Sequence, residues 1–193
     1  LIRDTNYEME EDSMAAIISC FKKVEWAIKA GVKVLSSIIL QSAFSNEEAG
    51  KFRVCGDYKI INFADEHQVK SDHVVRNFLN RNILFVSENE KDKMGKAVLK
   101  LFDRLISYSW TEAGKRKTHF FGVATTILGW KFCCYVRSKG GKAALSQKNF
   151  LCSETILMEI ENQCPRKSFI KMLAQIFRGV LTKDLSQIIT QPE

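Results

Sequence analysis

Apolar residues recur with a helical period along much of this chain. Met14, Ile17, Ile18, Phe21, Val24 and Ile28 stand three or four apart, which predicts an amphipathic helix from about residue 14. Lys22, Trp26, Lys29 and Lys33 fall on another face of it. Gly31 bends that helix or divides it from a second apolar segment over 32–44. The clearest stripe is Met94, Ala97, Val98, Leu101, Phe102, Leu105 and Tyr108, with Lys93, Lys96, Lys100 and Arg104 lining the outer face. A final helix opens near Pro165, a residue suited to a first helical position. It turns Phe169, Met172, Leu173, Ile176, Phe177, Val180 and Leu181 inward and Lys167, Lys171 and Arg178 outward.

Three pairs have the spacing of a capping box: Ser45 with Glu48, Asp65 with Gln68, and Ser87 with Glu90. The second heads a helix running to about Arg81, with Val75, Phe78 and Leu79 inward. Two stretches stay open. Residues 51–63 have the Val, Tyr, Ile and Phe content of a hairpin without its alternation. In 118–136 the run Val-Ala-Thr-Thr-Ile pulls toward strand, while Gly122, Ala124, Thr125 and Gly129 equally suit a closely packed helix. With only 2 prolines and 10 glycines, turn residues are too few for an all-β fold, so helix is favoured. The polar turn at 86–89 separates an expected N-terminal helical domain, 1–86, from a C-terminal one, 87–193.

At 46% apolar and 26% charged residues, the composition is that of a folded domain. The cysteines at 20, 55, 133, 134, 152 and 164 show no framework spacing, and they are expected as reduced core residues. No apolar run is long enough to span a membrane, and no signal peptide is expected. The first twelve residues are acidic (Asp4, Glu8, Glu10, Glu11, Asp12). Residues 113–153 contain no acid but carry Lys115, Arg116, Lys117, Lys131, Arg137, Lys139, Lys142 and Lys148. That block holds much of the net charge of +7 and favours phosphate-rich partners, either an anionic membrane or nucleic acid.

Catalytic patterns are scarce. Gly114-Lys115 and Gly95-Lys96 lack the Ser or Thr of a phosphate-binding loop. His67, His73 and His119 lack the spacing of zinc ligands, and Glu154, Glu159 and Glu161 read as a solvated face. The expectation is a non-enzyme without metal or cofactor.

Some residues resemble the influenza-type orthomyxovirus matrix protein. Phe63-Ala64-Asp65-Glu66, followed by Val74-Val75-Arg76-Asn77-Phe78-Leu79-Asn80, is similar to that family's Val-Pro-Ser-Glu turn and Phe-Val-Gln-Asn-Ala-Leu-Asn. Met94-Gly95-Lys96-Ala97-Val98, with Leu101-Phe102 and Leu105, resembles its Met-Asp-Arg-Ala-Val-Lys-Leu-Tyr helix with one residue inserted. Ala113-Gly114-Lys115 resembles its Gly-Ala-Lys turn. Tyr135-Val136-Arg137-Ser138-Lys139-Gly140 resembles the end of its buried helix. The likeness covers about 58–141, and the short tail fits a divergent member such as one from the salmon-infecting isavirus group. Of that family's basic cluster only Arg104 carries over.

The resemblance implies an all-α fold of two packed helical bundles, with 118–136 helical. It implies a structural matrix protein under the virion envelope that self-assembles into a layer, binds anionic lipid membrane and bridges to viral ribonucleoprotein. Such a protein would also occupy host-cell cytoplasm, nucleus and the inner leaflet of the plasma membrane. The residues expected to make these contacts are Lys22, Lys29, Lys33, Lys93, Lys96, Lys100, Arg104, Lys115, Arg116, Lys117, Arg137 and Lys139. The alternative is a helical, nucleocapsid-like nucleic-acid-binding protein without a membrane role. A third reading is a host helical interaction module.

Overall fold

The structure is a computed structural model, and it describes residues 3–23, 29–43, 51–61, 68–78, 82–137, 149–161 and 164–182. Among these residues, four helices pack on a mixed sheet. Helices α1 (Glu11–Lys23) and α2 (Lys29–Gln41) lead into strands β1 (Phe52–Ile61), β2 (Gln68–Asn77) and β3 (Ile83–Asn89). Helix α3 (Met94–Ser109) and a 3-10 turn (Gly114–Arg116) follow, then β4 (His119–Thr125) and β5 (Gly129–Val136). The short strands β6 (Phe150–Cys152), β7 (Ile156–Leu157), β8 (Ile160–Glu161) and β9 (Cys164–Pro165) precede α4 (Lys167–Thr182).

Seven strands form one sheet in the order β1-β2-β3-β4-β5-β6, with β7 also paired to β5; β8 and β9 form a separate ribbon. Strands β1, β2 and β3 make an antiparallel meander. Helix α3 then carries the chain across, so that β4 pairs parallel to β3 before β5 turns back antiparallel. A parallel neighbour needs such a crossover, because a tight turn can only reverse direction.

Each face of the sheet packs on helix. On one face Val75, Phe85, Val123 and Phe132 meet Ile17 and Phe21 of α1, Leu35 and Ile39 of α2, and Leu173 and Phe177 of α4. On the other, Val74, Val86, Phe120 and Ala124 meet Ala97, Leu101 and Leu105 of α3. Gly122 lies under α3 so closely that an added Cβ would sit 2.5 Å from Leu101 Cδ1 and 2.7 Å from the Val86 carbonyl oxygen.

This architecture corrects the all-α expectation and, with it, the likeness to an all-helical viral matrix protein. The helix expected over 65–81 is strand β2 from Gln68 onward, paired along its length with β1. The region 118–136 forms β4 and β5, so its β-branched propensity prevails over the helix that the resemblance implied. Ser87 and Glu90 do not cap a helix: they lie at the end of β3, and α3 begins at Met94 without a side-chain cap. The expected helices at 94–108 and 165–181 correspond to α3 and α4, and the one from Met14 corresponds to α1 as far as Lys23, with 24–28 outside the described residues. Among the described residues, no helix is long and apolar enough to cross a membrane.

Candidate functional site

The carboxyl end of β3 gathers four acids and six cations. Register pairs His73 of β2 with Ser87 of β3, and one step further Asp72 lies beside Glu88. The Asp72 backbone N–H donates to Glu88 Oε1 at 3.3 Å, and the Asn89 N–H donates to Asp72 Oδ2 at 2.9 Å. Glu90 follows directly, its N–H donating to the Thr125 carbonyl of β4 at 2.9 Å.

Both flanking helices send cations here. From α2, Lys29 Nζ lies 3.7 Å from Asp72 Oδ2 and 3.8 Å from Glu90 Oε1. Lys33 Nζ lies 3.4 Å from Asp72 Oδ1 and 2.6 Å from Asp57 Oδ1, and Lys70 approaches the same Asp57 oxygen at 3.2 Å. From α3, Lys96 lies 3.6 Å from Glu90 Oε2 and Lys100 is bonded to Glu90 Oε1. Arg104 Nε stands 3.7 Å from Glu88 Oε1 and donates to the Lys70 carbonyl at 3.1 Å. The spacing of Lys96, Lys100 and Arg104 aligns them along α3, and all three reach acids at the strand end.

Burial sets the electrostatics. Glu88 is only 2% exposed. Desolvation, reinforced by the charge of Asp72, pushes its carboxyl from 4.5 up to about 7. Glu90 is also desolvated, but Lys100, Lys29 and Lys96 outweigh this and hold it below the usual carboxylate value. A buried polar chain backs the acids. Thr125 Oγ1 donates to Asn89 Oδ1 at 2.6 Å, so Ser36, 3.3 Å away, donates to Thr125. Asn89 Nδ2 faces His73 Nδ1 at 3.5 Å, and burial, helped by the charge of Lys33, lowers His73 to about 4. His73 is therefore neutral at pH 7 and can accept from Asn89. The chain ties α2, β2, β3 and β4 together directly behind Asp72 and Glu88.

The donor set is hard oxygen, suited to Mg²⁺ or Ca²⁺. Among the described residues, no three Asp, Glu, His or Cys groups converge as a ready-made cage. The adjacent pair Asp72 and Glu88 still matches the habit of Mg²⁺, which takes one or two carboxylates and completes its shell with water and substrate phosphate.

Of the basic residues expected to make contacts, Lys29, Lys33, Lys96, Lys100 and Arg104 meet in this cluster. Lys93 is exposed just before α3, and Lys22 is exposed on α1 away from the cluster. Lys115 and Arg116 are exposed on the 3-10 turn. Lys117 instead folds inward to donate to the Ile83 carbonyl at 2.8 Å, and burial lowers its ammonium below the usual value. Arg137 donates to the Ser109 carbonyl at 3.0 Å. Lys139, Trp26 and the Ser45/Glu48 pair lie outside the described residues. The acidic N-terminal segment meets α4 of its own chain, Asp4 on Arg178 at 3.1 Å and Glu8 on Lys171 at 3.1 Å. Sequence reasoning missed Asp72, Glu88 and Glu90 as a site. The available signal was two apolar runs, Val74-Val75 and Leu84-Phe85-Val86, each closely flanked by a carboxylate.

No family model matches this sequence, and no curated protein matches it. A solved structure, "Characterization and crystal structure of the type IIG restriction endonuclease BpuSI", shares the fold with a TM-score of 0.56 at 10% identity. The match covers 86% of this chain and 18% of that one, so this chain spans less than a fifth of the protein it resembles in shape.

Proposed function

We propose that this chain is a nucleic-acid-directed domain that cleaves phosphodiester bonds at Asp72 and Glu88 with a divalent cation. One observation carries the reading. Two carboxylates lie side by side on neighbouring strands at the carboxyl end of β3, while Lys29, Lys33 and Arg104 converge on them from two helices and Lys100 pairs with the adjoining Glu90. Like charges opposite each other weaken a sheet, and burying Glu88 adds a desolvation cost. The ion pairs favour the fold, but burying Glu88 beside Asp72 does not, whereas a site that binds a cation and a phosphate together needs both signs of charge. The net charge of +7 suits a polyanionic partner, and cleavage of nucleic acid is what the name of the BpuSI enzyme describes for a protein of related fold.

Asp72 and Glu88 would hold the cation, assisted by nearby backbone carbonyls. Bound there, a divalent ion supplies Lewis acidity toward the phosphoryl group and toward an attacking water. Lys29 and Lys33 bind phosphate oxygens as their contacts with Asp72 exchange. Glu90 fixes Lys100 in orientation, and Lys100 donates to the phosphate from the α3 side. Glu88, with a value about 7, holds or releases a proton near neutrality until a cation binds.

A second reading is favoured by the pairing of Asp57, Asp72, Glu88 and Glu90 with a lysine or arginine within 4 Å. On that reading the domain binds nucleic acid without cutting it, and the cluster is a structural ion-pair network. The deciding experiment incubates the chain with supercoiled plasmid, linear duplex, single-stranded DNA and RNA, with Mg²⁺ or Mn²⁺ and with chelator. The proposal expects cleavage of at least one substrate, abolished by chelator and by Asp72→Asn or Glu88→Gln. Binding without cleavage favours the second reading, and neither binding nor cleavage overturns both.

A further inference from the structure

Strands β5 and β6 bring two thiols together. Their register sets Cys133 opposite Cys152, and the two Sγ atoms lie 2.9 Å apart. The Ser153 N–H donates to the Phe132 carbonyl at 2.8 Å. Phe132 and Ser153 are thus a hydrogen-bonded pair, which makes Cys133 and Cys152 the adjacent non-hydrogen-bonded pair. There antiparallel Cα atoms come closest, within the range that a disulfide spans.

The surroundings sort the two sulfurs into roles. Cys133 is buried in the core under α3, whereas Cys152 is exposed on the short strand. Desolvation raises the Cys133 thiol well above its ordinary value, further helped by its contact with Cys152, so the exposed Cys152 is the sulfur that reacts first. Neighbouring Cys134 pairs in register with Leu151 and lies on the opposite face, as strand alternation requires. Its thiol is pushed up to about 11 by burial. An apolar cavity of about 430 Å³, lined by Phe85, Phe121, Phe132, Cys134 and Leu151, opens on that opposite face. Access to the pair comes through the exposed Cys152 itself. On the same side of β6, Phe150 stacks on Phe102 of α3.

We propose that Cys133 and Cys152 are a redox modification site at which a small disulfide converts the pair into an intrachain bond stapling β6 to β5. The Cys152 thiolate attacks one sulfur of glutathione disulfide and displaces a glutathione thiolate, which takes up the proton Cys152 released. Cys133 then attacks Cys152 Sγ, displacing the second glutathione, which takes up the Cys133 proton. The two protein thiols are oxidised, one disulfide is reduced to two thiols, and no other reactant is required. This site is independent of the phosphodiester reading and stands or falls without it.

The test equilibrates the full chain with glutathione disulfide and reduced glutathione over a range of ratios, followed by intact mass and peptide mapping. Expected are the loss of two hydrogens, a mapped Cys133–Cys152 bond, and a rise in Tm of roughly 5–10 °C from closing the intervening loop. Cys152→Ser, at an exposed position, abolishes both changes. Cys133→Ser stops at a glutathione adduct on Cys152, and if that buried change prevents folding, the Cys152→Ser comparison still decides. An unchanged mass in excess oxidant, a glutathione adduct alone in the unaltered chain, or a bond mapped to another pair would each overturn the proposal. So would a mapped bond that leaves Tm unmoved.

Discussion

Replacing Glu88 by glutamine removes a charge that the fold accommodates at a cost. In the folded chain its carboxyl titrates at about 7 rather than 4.5, chiefly because it is buried and secondarily because Asp72 is adjacent. The folded value is above the unfolded one, so Glu88 contributes stability that is fully present below pH 4.5 and lost as pH rises through about 7. At about 1.4 kcal/mol per pH unit, the full loss is about 3 kcal/mol, a figure that already contains the attraction of Arg104 for the charged carboxylate. His73 runs the other way. Its value, lowered from 6.5 to about 4 by burial and then by Lys33, makes its contribution present above pH 6.5 and lost as pH falls toward 4. In the unaltered chain the two trends oppose each other between pH 4.5 and 6.5, and stability declines from there to about pH 8. Glu88→Gln should gain stability with pH across the lower window and stay level above it. Urea unfolding in chelator-containing buffer at pH 5, 6, 7, 8 and 9 reads both curves. Parallel curves, or a variant less stable than the unaltered chain at pH 8, would refute the burial argument. If the chain cleaves phosphodiesters as proposed, the same substitution should abolish that activity, so stability would rise where function is lost.

Other perturbations act on the packing under α3, on the buried polar chain and on the exposed cations. Gly122→Ala forces a methyl against Leu101 and the Val86 carbonyl; it should destabilise by about 1–3 kcal/mol, with partial rescue in a Gly122→Ala/Leu101→Ala double variant, measured by denaturant unfolding. Asn89→Ala leaves the Thr125 hydroxyl without its acceptor and His73 Nδ1 without its donor. A loss of about 1–3 kcal/mol is expected by thermal or urea unfolding. If the exposed cations beside the cluster contact nucleic acid, Lys93→Ala and Lys96→Ala should each lower the slope of log affinity against log salt by about 1 in a binding titration. Lys117→Ala should leave that slope unchanged, because Lys117 serves the Ile83 carbonyl.

The ends of the chain were legible because α1 and α3 bury one face and expose the other, and α4 sets half-buried Lys171 and Arg178 apart from its buried apolar residues, which writes a helical period into the sequence. The centre was not. From Ile83 to Asn89 strand β3 is covered on both sides, six of its seven residues being buried, so the alternation that marks a half-exposed strand is missing. Ser87 and Glu90 reproduced a capping-box spacing by coincidence at that strand's end. In 118–136 the local preference for strand was sound, and the family likeness was the misleading signal. The lysine row of α3 was visible, but its counterparts were not, since Asp72 and Glu88 meet across a register that only the fold creates. Among the described residues of the basic block, Lys115 and Arg116 face solvent while Lys117 and Arg137 donate to backbone carbonyls.

The position of the cluster follows from the one parallel step in the sheet. Because β4 runs parallel to β3, α3 must leave from the carboxyl end of β3 and return to the start of β4. Its first turns therefore hang over Glu88 and Glu90, and Lys96 and Lys100 reach them without a long loop. Antiparallel β2 runs past that same end, which supplies Asp72 from its middle. Helix α2 lies along the opposite face, and Lys29 and Lys33 reach around to Asp72. Pairings change direction from β2–β3 to β3–β4, and in open mixed sheets ligands collect outside the carboxyl ends of strands where the winding changes. On the proposed reading, a charged ligand meets there a strand end, a helix on each side, and a buried polar chain from Ser36 to His73 that ties together the strands bearing the acids.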